Sequence, residues 1–162
     1  MCGVAGSGKT TYARRLEASG YVRLSVDEEV WATNGQYGID YPASDYAALS
    51  QAATLRLRHR LIELIDARAR IVIDFSFWNK AARDEYKELV NAHGGHWRLI
   101  YLKVPETELR RRLAERSQRF DANAAFTIDD ELLDIYLAGF EEPHDEGEQV
   151  IDWNERNPND GC

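Results

Sequence analysis

Cysteine is scarce in this sequence. Only Cys2 and Cys162 occur, at opposite ends of 162 residues, and they form no metal-ligand spacing. Two free thiols in a reducing cytosol is the reading that follows. A chain of this length can bury a core without disulfides or a structural metal. Long apolar runs are missing as well: none approaches the roughly 18 residues that a membrane span requires. The N-terminus carries no charged-then-apolar signal, so nothing points to secretion. The expectation is a cytoplasmic protein that does not enter a membrane. Basic side chains nearly vanish beyond residue 120. Residues 121–162 hold 13 acidic side chains and one basic one, Arg156, for a net of -12. Residues 1–120 hold 19 basic and 15 acidic, for +4, which together give the chain's -8. An anionic ligand such as a nucleotide suits the first part. A long nucleic acid would be repelled by the last part unless that stretch folds away from the binding face. The acidic stretch fits a solvated surface equally well.

What is present is an alternation of strand and helix patterns. Thr10–Ala18 reads as a helix stopped by Gly20, and Tyr21–Val26 as a short strand. From Asp45 to Ala67, apolar residues at Tyr46, Leu49, Ala53, Leu57, Leu61, Leu64 and Ile65 make one stripe on a long helix. Arg70–Phe75 is an apolar run ending at a carboxylate, as in a buried parallel strand. Lys80–Ala92 reads as a helix, Trp97–Val104 as a strand, and Glu106–Arg116 as a basic helix. Ile128–Leu137 follows as a helix with Asp129 and Asp130 in its first turn, and Gln149–Trp153 as a last strand. Such an order predicts an α/β fold of three layers, a mostly parallel sheet with helices on both faces. One domain is expected over residues 1–153, with a frayed tail at 154–162.

The most specific feature is Gly3-Val4-Ala5-Gly6-Ser7-Gly8-Lys9-Thr10, which satisfies the phosphate-loop pattern of Gly, four residues, then Gly-Lys-Thr. Its glycines admit backbone angles that let successive N–H groups point at phosphates. A helix beginning at Lys9 adds its positive end. Gly3, Ala5, Gly6, Ser7, Gly8, Lys9, Thr10 and Thr11 are therefore the expected ATP contacts. Lys9 would reach the β- and γ-phosphates, and the Thr10 hydroxyl would ligate Mg2+. A buried strand normally precedes such a loop, but only Met1 and Cys2 stand before Gly3. The strand is expected either as a stub or upstream of this start, with the loop's entry less fixed and its neighbouring strands short of a partner.

Two carboxylates and a run of arginines accompany the loop. Asp27 follows the second strand pattern, where ligands of open α/β sheets bind, and could take a proton from an acceptor hydroxyl. It fits a helix cap equally well, because Glu28 and Glu29 follow. Asp74 ends the apolar strand and could hold Mg2+ directly or through water, or cap the next turn. Arg110, Arg111, Arg112, Arg116 and Arg119 cluster in ten residues. Arg112 and Arg116, four apart, share a helix face and could stabilise charge in phosphoryl transfer. A solvated face paired with Glu106, Glu108 and Glu115 is the alternative.

Taken in order, these motifs resemble the small P-loop kinases of the AAA-family ATPase and zeta-toxin-like group, and within them the kinase domain of polynucleotide kinase. The resemblance covers about residues 3–145. It rests on the loop, Ser25-Val26-Asp27, Asp74, Arg83, Tyr101–Glu106 leading into Arg112 and Arg116, and Phe140-Glu141-Glu142-Pro143 with Glu146. It implies a three-layer P-loop NTPase fold with an arginine-bearing lid helix. It also implies Asp27 as general base, with Arg112 and Arg116 on the transferring phosphate, in a lid over the site. Two positions depart from the polynucleotide kinase pattern. Val30 stands where an arginine helps bind that acceptor, and Asp74-Phe75-Ser76 replaces Asp-Thr-Asn. Nucleic acid is therefore disfavoured as acceptor. Phe75, Phe77, Trp78, Trp31 and Tyr37 could line a pocket for a flatter acceptor or be core. The leading expectation is ATP-dependent transfer to a hydroxyl of a small molecule. Its alternatives are an ATP-binding module without transfer and a polynucleotide or nucleoside kinase.

Overall fold

The strand β2, Ile71–Ile73, has helices on both of its faces. Ile71 and Ile73 pack with α3 (Tyr46–Asp66) and α4 (Lys80–Ala92), through Leu57, Leu61, Leu64 and Val90. Val72, between them, packs instead with Ala13 and Leu16 of α1 (Lys9–Ala18). Alternate strand residues point to opposite faces, so this split makes a three-layer α/β arrangement. The structure is a computed structural model and describes residues 1–117, 121–124 and 126–152.

β2 pairs in parallel with β1 (Val22–Leu24), Val22 opposite Ile71 and Leu24 opposite Ile73. A second parallel pair joins β3 (Leu99–Lys103) to β4 (Glu148–Asp152). The two pairs meet across the first two residues. Cys2 bridges in parallel to Tyr101, its N–H donating to Ile100 O at 2.8 Å while Leu102 N–H donates to Cys2 O at 3.0 Å. On the other side, Met1 N donates to Ile73 O at 3.3 Å. Residues 1 and 2 thus hold the central place beside β2 and β3, and Cys2 is fully buried. At the loop's entry, β3 bonds both the N–H and the C=O of Cys2.

Several expected bounds change. The expected strand Tyr21–Val26 narrows to Val22–Leu24, because the Ser25 side chain caps a helix of the kind that the alternative reading of Asp27–Glu29 allowed. That helix is α2, Val26–Asn34. Arg70–Phe75 shortens to Ile71–Ile73, and Trp97–Val104 to Leu99–Lys103. α4 and α5 (Glu106–Arg116) agree with the reading residue for residue. α6 runs from Asp130 to Gly139, with Asp129 as its side-chain cap rather than within its first turn. Trp153, the tail 154–162 with Cys162, and Arg119 lie outside the described residues. No described helix is long and apolar enough to cross a membrane.

The segment after α6 clasps the turn after β2. Arg83 of α4 is buried and donates to Glu146 through Nε at 2.9 Å and Nη2 at 2.6 Å. Its Nη1 also donates to Phe77 O at 3.1 Å. Phe77 has a φ of 45°, rare for a bulky residue, and this bond helps to hold it. Glu141 N–H donates to Trp78 O at 2.9 Å, and Lys80 N–H to a Glu141 carboxylate oxygen at 2.7 Å. Arg83 and Glu146, both part of the family resemblance, are therefore partners that fix the turn after β2.

Candidate active site

The phosphate loop connects the central stub to α1. Gly3 has a φ of 144°, and a Cβ there would lie 2.7 Å from Ser7 Oγ and 2.9 Å from Leu102 O. Only glycine fits so close to β3. Gly8, with a φ of 94°, turns the chain into α1 without a side-chain cap, so the helix's first N–H groups are left for a ligand. The lid helices α5 and α6 lie over the loop, where Leu109, Leu113 and Leu133 pack with Val4 and Ala5.

Lys9 curls back over its own loop, donating to Gly3 O at 2.7 Å and Val4 O at 3.0 Å. Burial lowers its pKa to about 8, although the carboxylates of Asp74 and Asp27 work the other way. A loop carbonyl is a weak partner for an ammonium, so a phosphate would bind Lys9 better. Gly3, Ala5, Gly6, Gly8, Lys9, Thr10 and Thr11 all line one cleft of about 1310 Å³. Ser7 does not: its side chain is buried, its N–H donates to Val4 O at 3.1 Å, and its Oγ makes no hydrogen bond. Of the expected loop contacts, Ser7 is the one whose side chain lies beneath the loop and off the cleft.

Asp27 sits in the first turn of α2 and lines the same cleft. The cap position belongs to Ser25, whose oxygen accepts from Glu28 N–H at 3.5 Å, so Asp27 is released from capping. Its carboxylate accepts from the Tyr46 hydroxyl at 3.0 Å. Burial raises the Asp27 pKa, and the Tyr46 bond and the charge of Arg116 partly offset this. Neighbouring Asp27 likewise adds to burial in pushing Tyr46 well above its ordinary value.

Asp74 also lines the cleft, but one oxygen is already engaged. Arg23 donates to Asp74 Oδ2 through Nε at 3.0 Å and Nη2 at 2.7 Å, with both side chains almost fully buried. Arg23 Nη1 also reaches Glu28 Oε1 at 2.7 Å. That same oxygen accepts from Arg14 at 3.1 Å and from Asn123 Nδ2 at 3.1 Å. Burial works against ionised Glu28, but Arg23, Asn123 and Arg14 together hold its pKa below the ordinary value. Asn123, between α5 and α6, ties the lid to α2. Pattern reading missed Arg23, Tyr46 and Asn123 as site residues. Arg23 did leave a signal: it is the charged residue between the apolar Val22 and Leu24.

The arginine run divides by direction. Arg110 pairs with the exposed carboxylates of Glu106, Asp130 and Asp134, and Arg111 with exposed Glu115 and with the largely covered Glu108. Those two are the solvated face. Arg112 turns inward, donating to Gly6 O at 3.2 Å while Glu108 holds its Nε at 2.7 Å. Arg116 lines the cleft, where its charge acts on both Asp27 and Lys9. Of the aromatic candidates, Phe75, Phe77 and Trp78 line the cleft. Trp31 and Tyr37 do not, and Tyr37 instead packs edge-on against Tyr41 and Tyr46.

The described residues hold no cluster of three His, Cys, Asp or Glu that could cage a metal. Mg2+ does not need one, since it keeps several waters and takes one or two protein oxygens with phosphate oxygens. The Thr10 hydroxyl and the Asp74 carboxylate, both on the cleft, are a donor set of that kind.

A family model described as an AAA domain (AAA_33) matches residues 1–143. No protein of curated function matches the sequence. Among solved structures, a gluconokinase from Sinorhizobium meliloti 1021 is 22% identical, with a TM-score of 0.61 over 96% of this chain and 81% of that one. A sugar kinase from Janibacter sp. HTCC2649 is 24% identical, with a TM-score of 0.55 over 96% and 84%. Kti12 from Chaetomium thermophilum, in complex with ADP-AlF3, is 16% identical, with a TM-score of 0.62 over 96% and 88%. At these identities the likeness is one of fold. It matches the P-loop kinase-like reading and gives no support to polynucleotide kinase in particular.

Proposed function

The chain belongs to the AAA domain family AAA_33, and from that premise we propose that it moves the γ-phosphate of ATP to a hydroxyl of a small-molecule acceptor. The observation that carries this reading is one cleft lined by Lys9, Thr10, Asp27, Asp74, Arg112 and Arg116. The loop N–H groups, the start of α1 and Lys9 hold the donor phosphates. Thr10 and Asp74 would hold Mg2+, which when bound neutralises phosphate charge. Asp27 accepts the proton of the attacking hydroxyl, and Tyr46 fixes the orientation of its carboxylate. The acceptor oxygen bonds to the γ-phosphorus while the bond to the β–γ bridging oxygen breaks, and ADP leaves with that electron pair. Arg116 and Arg112 offset the charge developing on the transferring group. The solved relatives named for gluconate and sugars support an alcohol acceptor.

A screen of alcohols for acceptor-dependent ADP release, with Lys9→Ala as the blank, tests the proposal. In Asp27→Asn, ATP affinity should hold within a few-fold while turnover falls by about 10²–10⁴. Unchanged turnover in that variant would remove Asp27 as the base. Tight ATP binding with no transfer to any alcohol would favour a nucleotide-binding module instead.

A further inference from the structure

The cleft is divided by charge. Its lining cations, Lys9, Arg14, Arg15, Arg112 and Arg116, come from the phosphate loop, α1 and α5. The wall beyond Asp27 is built from α2, α3, the turn after β2 and α4. It presents Tyr46, Ser50 and Thr54, which are spaced four apart and so share one face of α3. It also carries the rings of Phe75, Phe77 and Tyr86, whose centroids lie 5.0–5.8 Å apart. The charged members of this wall are Asp27, Asp74 and Glu85; none of its described lining residues is a cation. Arg23, buried behind Asp74, is consumed by Asp74 and Glu28. Arg58 is paired with Glu85 and lies 5.7 Å from the centre of the Tyr86 ring.

Apart from its carboxylates, the polar residues this wall presents to the cleft from α3, Tyr46, Ser50 and Thr54, are neutral and suit a hydroxylated molecule. Ser50 Oγ and the Tyr86 hydroxyl themselves are buried beside Tyr46 and Arg58.

Building on the phosphotransfer reading, we infer that the acceptor is a non-anionic alcohol with an apolar face, its body against Phe75, Phe77 and Tyr86 and its reacting hydroxyl at Asp27. A carboxylate or phosphate on the acceptor would meet the Asp27 carboxylate, while the guanidiniums nearest this wall are already held by carboxylates, Arg23 by Asp74 and Glu28 and Arg58 by Glu85, so an anion there is disfavoured.

The test uses the full chain with ATP and Mg2+. It offers charge-matched sets of one aryl alcohol and one sugar, each in a neutral, an amine-bearing and a carboxylate-bearing form. ADP release is measured against Lys9→Ala, and ATP binding is measured separately. The neutral and amine forms should exceed the carboxylate form by at least about ten-fold in kcat/KM. In Glu85→Gln, which frees the Arg58 guanidinium, the carboxylate form should gain relative to the neutral one. Equal or preferred transfer to the carboxylate forms overturns this inference and leaves the phosphotransfer reading standing. ATP binding without transfer to any member overturns both.

Discussion

Tyr46, the first residue of α3, donates its hydroxyl to Asp27 Oδ1 at 3.0 Å and so joins α3 to the first turn of α2. The bond both aims the carboxylate and favours its ionised form. It opposes the burial that raises the Asp27 pKa.

Removing that hydroxyl should therefore make Asp27 a base with a still higher pKa. A base must be ionised to act, so activity falls as pH drops through its pKa. In Tyr46→Phe the acidic limb of the kcat/KM profile should move to higher pH by roughly half a unit to one unit, as expected for loss of one hydrogen bond. An acidic limb in the same place would show that Tyr46 acts on packing alone.

Lys9 leads to a prediction about protons in binding. Its pKa of about 8 in the free site reflects burial. Phosphates of opposite charge must raise that value. Between the free and bound values, ATP binding draws in a proton, and affinity falls with rising pH by up to about ten-fold per unit. At pH 8.5 the calorimetric heat of ATP binding should vary with the ionisation heat of the buffer. Lys9→Met should lose that dependence. No proton uptake in the parent protein would mean that Lys9 is already fully charged when free.

The buried pair of Arg83 and Glu146 should matter to stability more than any surface pair. Glu146→Gln leaves Arg83 without its anion and should cost about 3–5 kcal/mol. A lowering of Tm by about 10 °C is the expected reading for a chain of this size. Replacing both, Arg83→Met with Glu146→Leu, should cost less than the single change. A loss of under about 1 kcal/mol in Glu146→Gln, the range of surface pairs, would contradict the burial.

Arg23 offers a way to separate metal binding from packing at Asp74. Arg23→Met leaves Asp74 and Glu28 without their shared partner and should destabilise the fold by a similar ~3–5 kcal/mol. If Asp74 can also hold a cation, Mg2+ with ATP should restore part of the lost Tm, more than it adds to the parent protein. Equal gains in both proteins would leave Thr10 as the chain's cation ligand.

The sequence by itself determined the phosphate loop of this protein. The loop from Gly3 to Thr10 is a local motif, because phosphate is bound by backbone N–H groups and the helix start that follow within a few residues. The apolar stripe of α3 and the bounds of α4 and α5 are local as well. They depend on spacing along one chain segment. What the loop rests on was decided by tertiary structure. Met1 and Cys2 lie between β2 and β3 because β3 bonds the N–H and C=O of Cys2, and no pattern two residues long can announce that. The meaning of each charge was also decided in three dimensions. Arg110 and Arg112 stand two apart in the same run, yet one meets surface carboxylates and the other the Gly6 carbonyl. Asp27 became available because Ser25 took the cap, and it was joined by Tyr46 from 19 residues away. Asp74 was claimed in part by Arg23, 51 residues before it. Such pairings are set by which faces the packed layers bring together. A charge's partner across the fold leaves no trace in its own neighbourhood.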